Sequence, residues 1–265
     1  MKSIYVAFVI SIVFLGCSKN AVTGRKQLSL VSEPELQSLA LQEYKTFLNE
    51  NQVLHNNNAD MVKRVGSKIS SAIKQYYDSK GKTEILNGYN WEFNLIENKE
   101  ANAWCMPGGK VVVYSGLLPI TQNEAGLAIV IGHEITHAVA QHGAERMSQG
   151  LLQQLGGSVL SIALANKPQE TQNLFLNAYG IGTTIGAILP FSRKEESEAD
   201  EYGLYYAAMG GYNPNEAITF WERMASAAGS KPIEFLSDHP SDANRISQMK
   251  KYLPKAIKYY QASKN

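Results

Sequence analysis

EAGLAIVIGHEITHAVAQ, running from Glu124 to Gln141, is the stretch on which the reading of this chain turns. Its apolar residues lie all round a helix: Ala125, Leu127, Ala128, Ile129, Val130, Ile131, Ile135, Ala138 and Val139. A helix apolar on every side is a buried one. Within it stand His133, Glu134 and His137. Side chains four apart stack on one helical face, so the two imidazoles can converge on a single ion. Glu134 lies about 100° further round, too far to be a ligand but close enough to reach a water beside that ion. Buried without partners, the three would cost on the order of several kcal/mol, and metal ligation removes that cost. The segment therefore predicts one catalytic Zn2+ per chain, held by His133 and His137, with Glu134 as general base.

Catalytic zinc takes three protein ligands and keeps a position open. No histidine follows at the spacing of an extended motif, since Gly143 is succeeded by Ala144, Glu145 and Arg146. The candidates are the carboxylates of RKEESEAD, residues 193–200. Glu196 and Asp200 are four apart and share a face with Ala199 and Gly203. Two small residues beside two acids describe a face pressed against another helix, so Glu196 is the expected third ligand. Asp200 is expected to hydrogen-bond a ligating histidine and hold its tautomer. Glu195, Glu198 and Glu201 read as a solvated charge run.

Upstream, Ser32, Pro34 and Glu35 signal a helix start, and apolar residues then recur with a 3.6-residue period to Leu48. A second amphipathic helix is expected from Asp60 to Tyr77. Two short strands follow, 91–96 and 110–114, with Ala101 to Met106 between them leading into the turn Pro107-Gly108-Gly109. They predict a small antiparallel or mixed sheet of about three strands. Residues 150–189 read as core or lid helices interrupted near Pro168. The fold class is α+β and mostly helical.

At the start, Lys2 precedes a run from Ile4 to Leu15 that is apolar apart from Tyr5 and Ser11, then Gly16 and Cys17. This reads as a signal peptide over residues 1–16, too short to span a membrane comfortably. FLGCS resembles a bacterial lipobox, in which Cys17 is acylated and ties the chain to a membrane through lipid. An uncleaved anchor, or an ordinary signal with an incidental cysteine, are the alternatives. Residues 17–31 read as an irregular tether and 32–260 as a single domain. With Ser18 after the cysteine, the expected location is the periplasmic face of a bacterial outer membrane. If Cys17 is lipidated, the remaining cysteine, Cys105, has no disulfide partner and is expected to be buried. Lys+Arg total 25 and Asp+Glu 24, a balance that excludes a nucleic-acid binder.

HEITHAVAQH, SRKEESEAD and DHPSDANRI, in that order, resemble the HtpX-like and CAAX-prenyl-protease-type gluzincin family, and in particular its lipoprotein members. The resemblance covers nearly the whole chain after Cys17. It implies a zincin-like fold and the ligands His133, His137 and Glu196, matching the reading from spacing. It also places His239 near the metal, either stabilising an oxyanion or closing the ion as a fourth ligand, and Arg245 near the substrate groove. Asn102, Ala103 and Trp104 resemble the edge strand on which such peptidases bind substrate as an added strand. His142 and Arg146 match family positions and read as structural, with His142 too far along the helix to join the ligands.

Two functions follow. One is an endopeptidase acting on misfolded or misassembled envelope proteins. The other is a chaperone or adaptor for envelope assembly machinery, its zinc site held shut by His239. The intact Glu134 favours the enzyme, because a pure binder needs no base beside the metal.

Overall fold

Ser32 opens the first long helix with the reciprocal cap its sequence announces. Its hydroxyl accepts from Glu35 N, and the Glu35 carboxylate accepts from Ser32 N. In the computed structural model, which describes residues 17–154, 160–166, 168–181, 192–229, 233–239 and 244–264, this helix is α1, Glu33–Glu50. Helix α2, Asn57–Ser79, follows and buries Val62, Val65, Ile69, Ile73 and Tyr77.

The central sheet comprises β3 (Glu92–Ile96), β4 (Ala103–Met106) and β5 (Lys110–Tyr114) in the order β3-β5-β4. Strand β4 is antiparallel to β5, and β3 is parallel to it, so the sheet is mixed. The hairpin turn needs glycine, because Gly108 and Gly109 have φ of 79° and 81°. Residues 97–102 cross the end of β5, stitched there by Ser115 Oγ to Asn98 O at 2.9 Å, and deliver β4 to the far edge. Insertion of β5 between two strands adjacent in sequence is what makes one pairing parallel.

The sheet separates two apolar clusters. Val111, Val113, Ala103 and Cys105 face α2 and helix α4 (Glu124–Val139), which follows the short α3, Leu118–Thr121. Val112, Tyr114, Trp104 and Met106 face α1 and the helices α5 (His142–Gln154), α6 (Leu160–Asn166) and α7 (Pro168–Ala178). Helix α8, Arg193–Met209, crosses α4 where each carries a glycine. A Cβ at Gly132 would fall 2.5 Å from Gly203 O, and one at Gly203 2.6 Å from His133 N. Helices α9 (Glu216–Ala227), α10 (Glu234–Asp238) and α11 (Arg245–Ala262) complete the far side. Among the described residues no helix is long and apolar enough to cross a membrane.

Residues 17–31 correct the sequence reading, for they are not a free tether. Strands β1 (Cys17–Lys19) and β2 (Lys26–Leu28) pair as an antiparallel hairpin. Asn20 Oδ1 accepts from Val22 N and Thr23 N, both at 2.9 Å, and Gly24 turns the chain at φ 73°. Asn20 Nδ2 donates to Ala140 O, at the end of α4, at 2.6 Å. Leu30 N donates to Ser148 Oγ at 2.9 Å. Part of the segment's polarity thus satisfies the carbonyl end of α4 beneath it. Cys17 is exposed and Cys105 buried. The residues read as a signal peptide lie outside the described ones.

Candidate metal centre

Helix α4 is buried from Gly126 to Val139 because the sheet, α2 and α8 surround it. His133 and His137 leave it one turn apart with their Nε2 atoms 3.1 Å from each other. From α8, Glu196 brings Oε1 to 3.3 Å from His137 Nε2 and Oε2 to 3.5 Å from His133 Nε2. His239, capping α10, adds Nδ1 at 2.9 Å from Glu196 Oε1 and 3.2 Å from His133 Nε2. One donor atom from each of these four residues lies within 4.8 Å of all the others.

This donor set fits a metal ion. Two ligand atoms about 2.0–2.1 Å from one ion at a tetrahedral angle stand roughly 3.4 Å apart, close to the spacings here. His133 Nδ1 sits 3.0 Å from Asp200 Oδ1 and must carry the proton, which leaves Nε2 bare in the neutral ring. Bare nitrogens and a carboxylate converging in a buried space repel one another, and a cation relieves that repulsion. Three nitrogens and one carboxylate oxygen suit zinc-like ions better than calcium or magnesium.

The carboxylates are held from behind. Arg245 donates from Nε to Asp200 Oδ2 at 2.7 Å and from Nη2 to Glu196 Oε2 at 2.8 Å and Asp200 Oδ1 at 2.9 Å. Its guanidinium stacks 3.6 Å from the centroid of the Trp221 ring. Arg245 is thus buried beneath Glu196 and Asp200, which it holds in place. Glu134 differs from its neighbours. Its Oε1 is buried without a hydrogen bond and lies 3.4 Å from His239 Nε2.

The electrostatics follow from burial and from paired acids. Burial pushes the Glu134 carboxyl up to about 8. Burial acts against a charged His133, but Glu196 and Asp200 outweigh it and raise that imidazole to about 9. Burial lowers His137 well below its usual value and His239 to about 4. Burial would raise Glu196, yet His239 and His133 hold it well below the carboxylate range.

His142 stays outside the ligand group as expected from sequence, but for a different reason. Helix α4 stops at Val139, and Gln141, at φ 56°, reverses the chain. His142 therefore starts a new helix and turns back, with Nδ1 2.9 Å from His137 Nδ1 and Nε2 3.0 Å from Glu198 Oε2. Counting residues along one continuous helix hid this contact. Nor are Glu195 and Glu198 solvated. Glu195 is buried at the cap of α8, its carboxylate accepting from Ser192 N at 2.7 Å. Glu198 meets Arg25 as well as His142. No signal in residues 193–201 separates Glu198 from Glu201, because its partners come from distant segments. Arg146 is buried and donates to Ala178 O.

Strand β4 is an edge among the described strands, pairing with β5 alone. Asn102, Ala103 and Trp104 are all buried. Asn102 Nδ2 donates to Asp238 Oδ2 at 3.2 Å, and Trp104 fills the core against Phe47 and Tyr44. Every residue of this strand, backbone included, is buried. The centre is closed to solvent as well, with His133, Glu134, His137, Glu196 and His239 between 1% and 4% exposed.

A buried helix carrying His133, Glu134 and His137, crossed by a second helix that adds a carboxylate at the same point, is the arrangement of a zincin-like metallopeptidase. The chain belongs to Peptidase family M48, whose family model matches residues 63–253. It is 31% identical to mitochondrial metalloendopeptidase OMA1 of Saccharomyces cerevisiae over 96% of this chain and 76% of that protein. It is 31% identical to the human mitochondrial metalloendopeptidase OMA1 over 89% of this chain and 46% of that one. The Escherichia coli beta-barrel assembly-enhancing protease is 32% identical over 66% of this chain and 38% of its own length. The chain thus spans about half or less of several relatives it matches.

These relatives narrow one expectation and overturn another. The metallopeptidase family holds as M48, and the likeness reported is to OMA1 and the assembly-enhancing protease. The bacterial outer-membrane location is overturned, since the relatives from yeasts, a plant and mammals are mitochondrial by name. A basic residue followed by a short apolar run is a generic targeting pattern, and it does not specify which membrane is the destination.

Proposed function

We propose that this chain is a zinc-dependent endopeptidase that hydrolyses misfolded or misassembled proteins, with His133, His137 and Glu196 as ligands and Glu134 as general base. The observation that carries the reading is the convergence of those three ligands beside a Glu134 oxygen that is buried and accepts no hydrogen bond. Zinc held there supplies Lewis acidity toward water and toward the scissile carbonyl. Glu134 Oε1 takes the proton from the attacking water and returns it to the leaving amine. Asp200 keeps the His133 proton on Nδ1, and Arg245 holds Asp200 and Glu196 in place. Strand β4 is an edge among the described strands and is buried, so it can add a peptide as a further strand only once the site opens. The name of the Escherichia coli relative, a protease tied to barrel assembly, supports misassembled proteins as the substrate class.

A second state of the same site is favoured by one observation. His239 Nδ1 stands among the donor atoms while its Nε2 faces Glu134, and the whole group is buried. We read this as a resting form in which His239 closes the centre, and in which α10 must withdraw before substrate enters.

Degradation of casein by the full chain tests both readings. Glu134→Gln is expected to lose activity by about 10²–10⁴-fold while keeping its metal. Equal activity in variant and wild type would sink the mechanism. If wild type is inert, His239→Ala should be active, and an inert variant removes the closed-site reading.

A further inference from the structure

One continuous line of hydrogen bonds joins the N-terminal hairpin to the ligand His137. Arg25 Nε donates to both Glu198 oxygens, at 2.9 and 3.2 Å. Glu198 Oε2 lies 3.0 Å from His142 Nε2, and His142 Nδ1 lies 2.9 Å from His137 Nδ1. If His137 turns Nε2 to the centre, the protons along this line have one consistent arrangement. His137 Nδ1–H donates to His142 Nδ1, and His142 Nε2–H donates to the Glu198 carboxylate. The remaining nitrogens of Arg25 are fixed too, Nη1 and Nη2 donating to Glu145 at 3.0 and 2.6 Å. One planar guanidinium thus bridges a carboxylate on α5 and another on α8, a fork that lysine cannot reproduce. Beside it, Asn20 grips Ala140 O, one residue before the reversal that turns His142 back.

We propose that Arg25 and Glu198 are positioning residues of the metal centre, by which the N-terminal hairpin sets the orientation and tautomer of His137 through His142. The proposal rests on reading His133, His137 and Glu196 as metal ligands. It gives the two histidine ligands matched support. Asp200, held by Arg245, backs His133 directly, and Glu198, held by Arg25, backs His137 through one intervening imidazole. A ligating imidazole whose far nitrogen is held this way is locked in orientation and made a stronger donor. The hairpin then becomes part of the active centre, and its release would loosen a ligand on the other side of α4.

The test is metal competition on the full chain, titrating zinc and cobalt(II) against a chromophoric chelator and recording the cobalt absorption bands. Glu198→Gln keeps the side chain's shape and removes its charge; it should weaken metal binding about tenfold and shift the cobalt bands. Arg25→Lys should move both readouts in the same direction and less far, and it serves alone if Glu198→Gln does not fold. Lys82→Met removes a contact with the hairpin's turn, Lys82 Nζ to Ala21 O at 3.1 Å, and leaves Arg25, Glu145 and Glu198 as they are. It should leave metal affinity and the cobalt spectrum unchanged. Unchanged affinity in Glu198→Gln and Arg25→Lys overturns the proposal. So does an equal loss in Lys82→Met, because the hairpin would then act only by docking. If wild type takes up no metal at all, the ligand assignment itself fails, an outcome distinct from both.

Discussion

Arg245 shows how much one side chain can hold at this centre. It donates three hydrogen bonds to Asp200 and Glu196, both buried, and stacks on Trp221. Removing one member of such a group leaves buried charge uncompensated, which costs roughly 3–5 kcal/mol. Arg245→Met is therefore expected to be destabilised by about that amount in urea unfolding. It should also bind zinc more weakly by chelator competition, since Glu196 loses its brace. A variant as stable as wild type would show that the three hydrogen bonds do not carry this weight. The convergence of His133, His137 and Glu196 was legible from residue type and spacing. The contact of His142 with His137 was not, because a single left-handed residue, Gln141, changes which helix it belongs to.

At the scale of elements, the crossing of α4 and α8 sets the distance between His133 and Glu196. Gly203→Ala would bring a Cβ to 2.6 Å from His133 N and 2.8 Å from Gly132 C, backbone atoms that cannot swing aside. We expect a loss of about 1–3 kcal/mol as the helices separate, with metal affinity falling alongside stability. Equilibrium unfolding and metal titration of one preparation check both parts. The short helix α10 supplies a pH effect. Burial, and then the neighbouring Glu100, push the Glu234 carboxyl up to about 8. A carboxyl raised on folding binds more protons when folded than when unfolded. Its contribution is thus present in acid and is lost as pH rises from its ordinary value near 4.5 toward 8. Glu234→Gln should flatten stability over that window in thermal melts, and an unaltered pH profile would count against the pairing. Most elements were legible: the capped start of α1, the periodic face of α2, the break near Pro168 and the small-residue face of α8. The parallel pairing of β3 with β5 was open from sequence, because strand direction depends on how a six-residue link crosses the sheet.

Across the whole molecule, the metal is expected to act as a structural clamp as well as a catalyst. It draws together ligands from α4, from α8 and from the end of α10, elements far apart in sequence. A ligand present at 1,000 times its dissociation constant stabilises the native state by about 4 kcal/mol. Stripping the metal with a chelator should therefore lower the melting temperature by roughly 10 °C, and added zinc should restore it. A melting temperature indifferent to metal would mean that the folded chain holds no ion. The same scale governs access, for the centre lies beneath α10 and beside the two-sided core that contains Trp104.

By itself, the sequence determined the α+β class, the buried helix Glu124–Val139 and the convergent residues His133, Glu134, His137 and Glu196. These are local matters of periodicity, residue type and the cost of burying a polar group, and a few turns of helix express them fully. Only the tertiary structure decided that Arg245 braces Asp200 and Glu196, that His142 folds back onto His137, and that residues 17–31 dock as a hairpin. Each of those depends on partners brought from distant parts of the chain. A polar side chain carries the same sequence signal whether water or a buried carboxylate satisfies it.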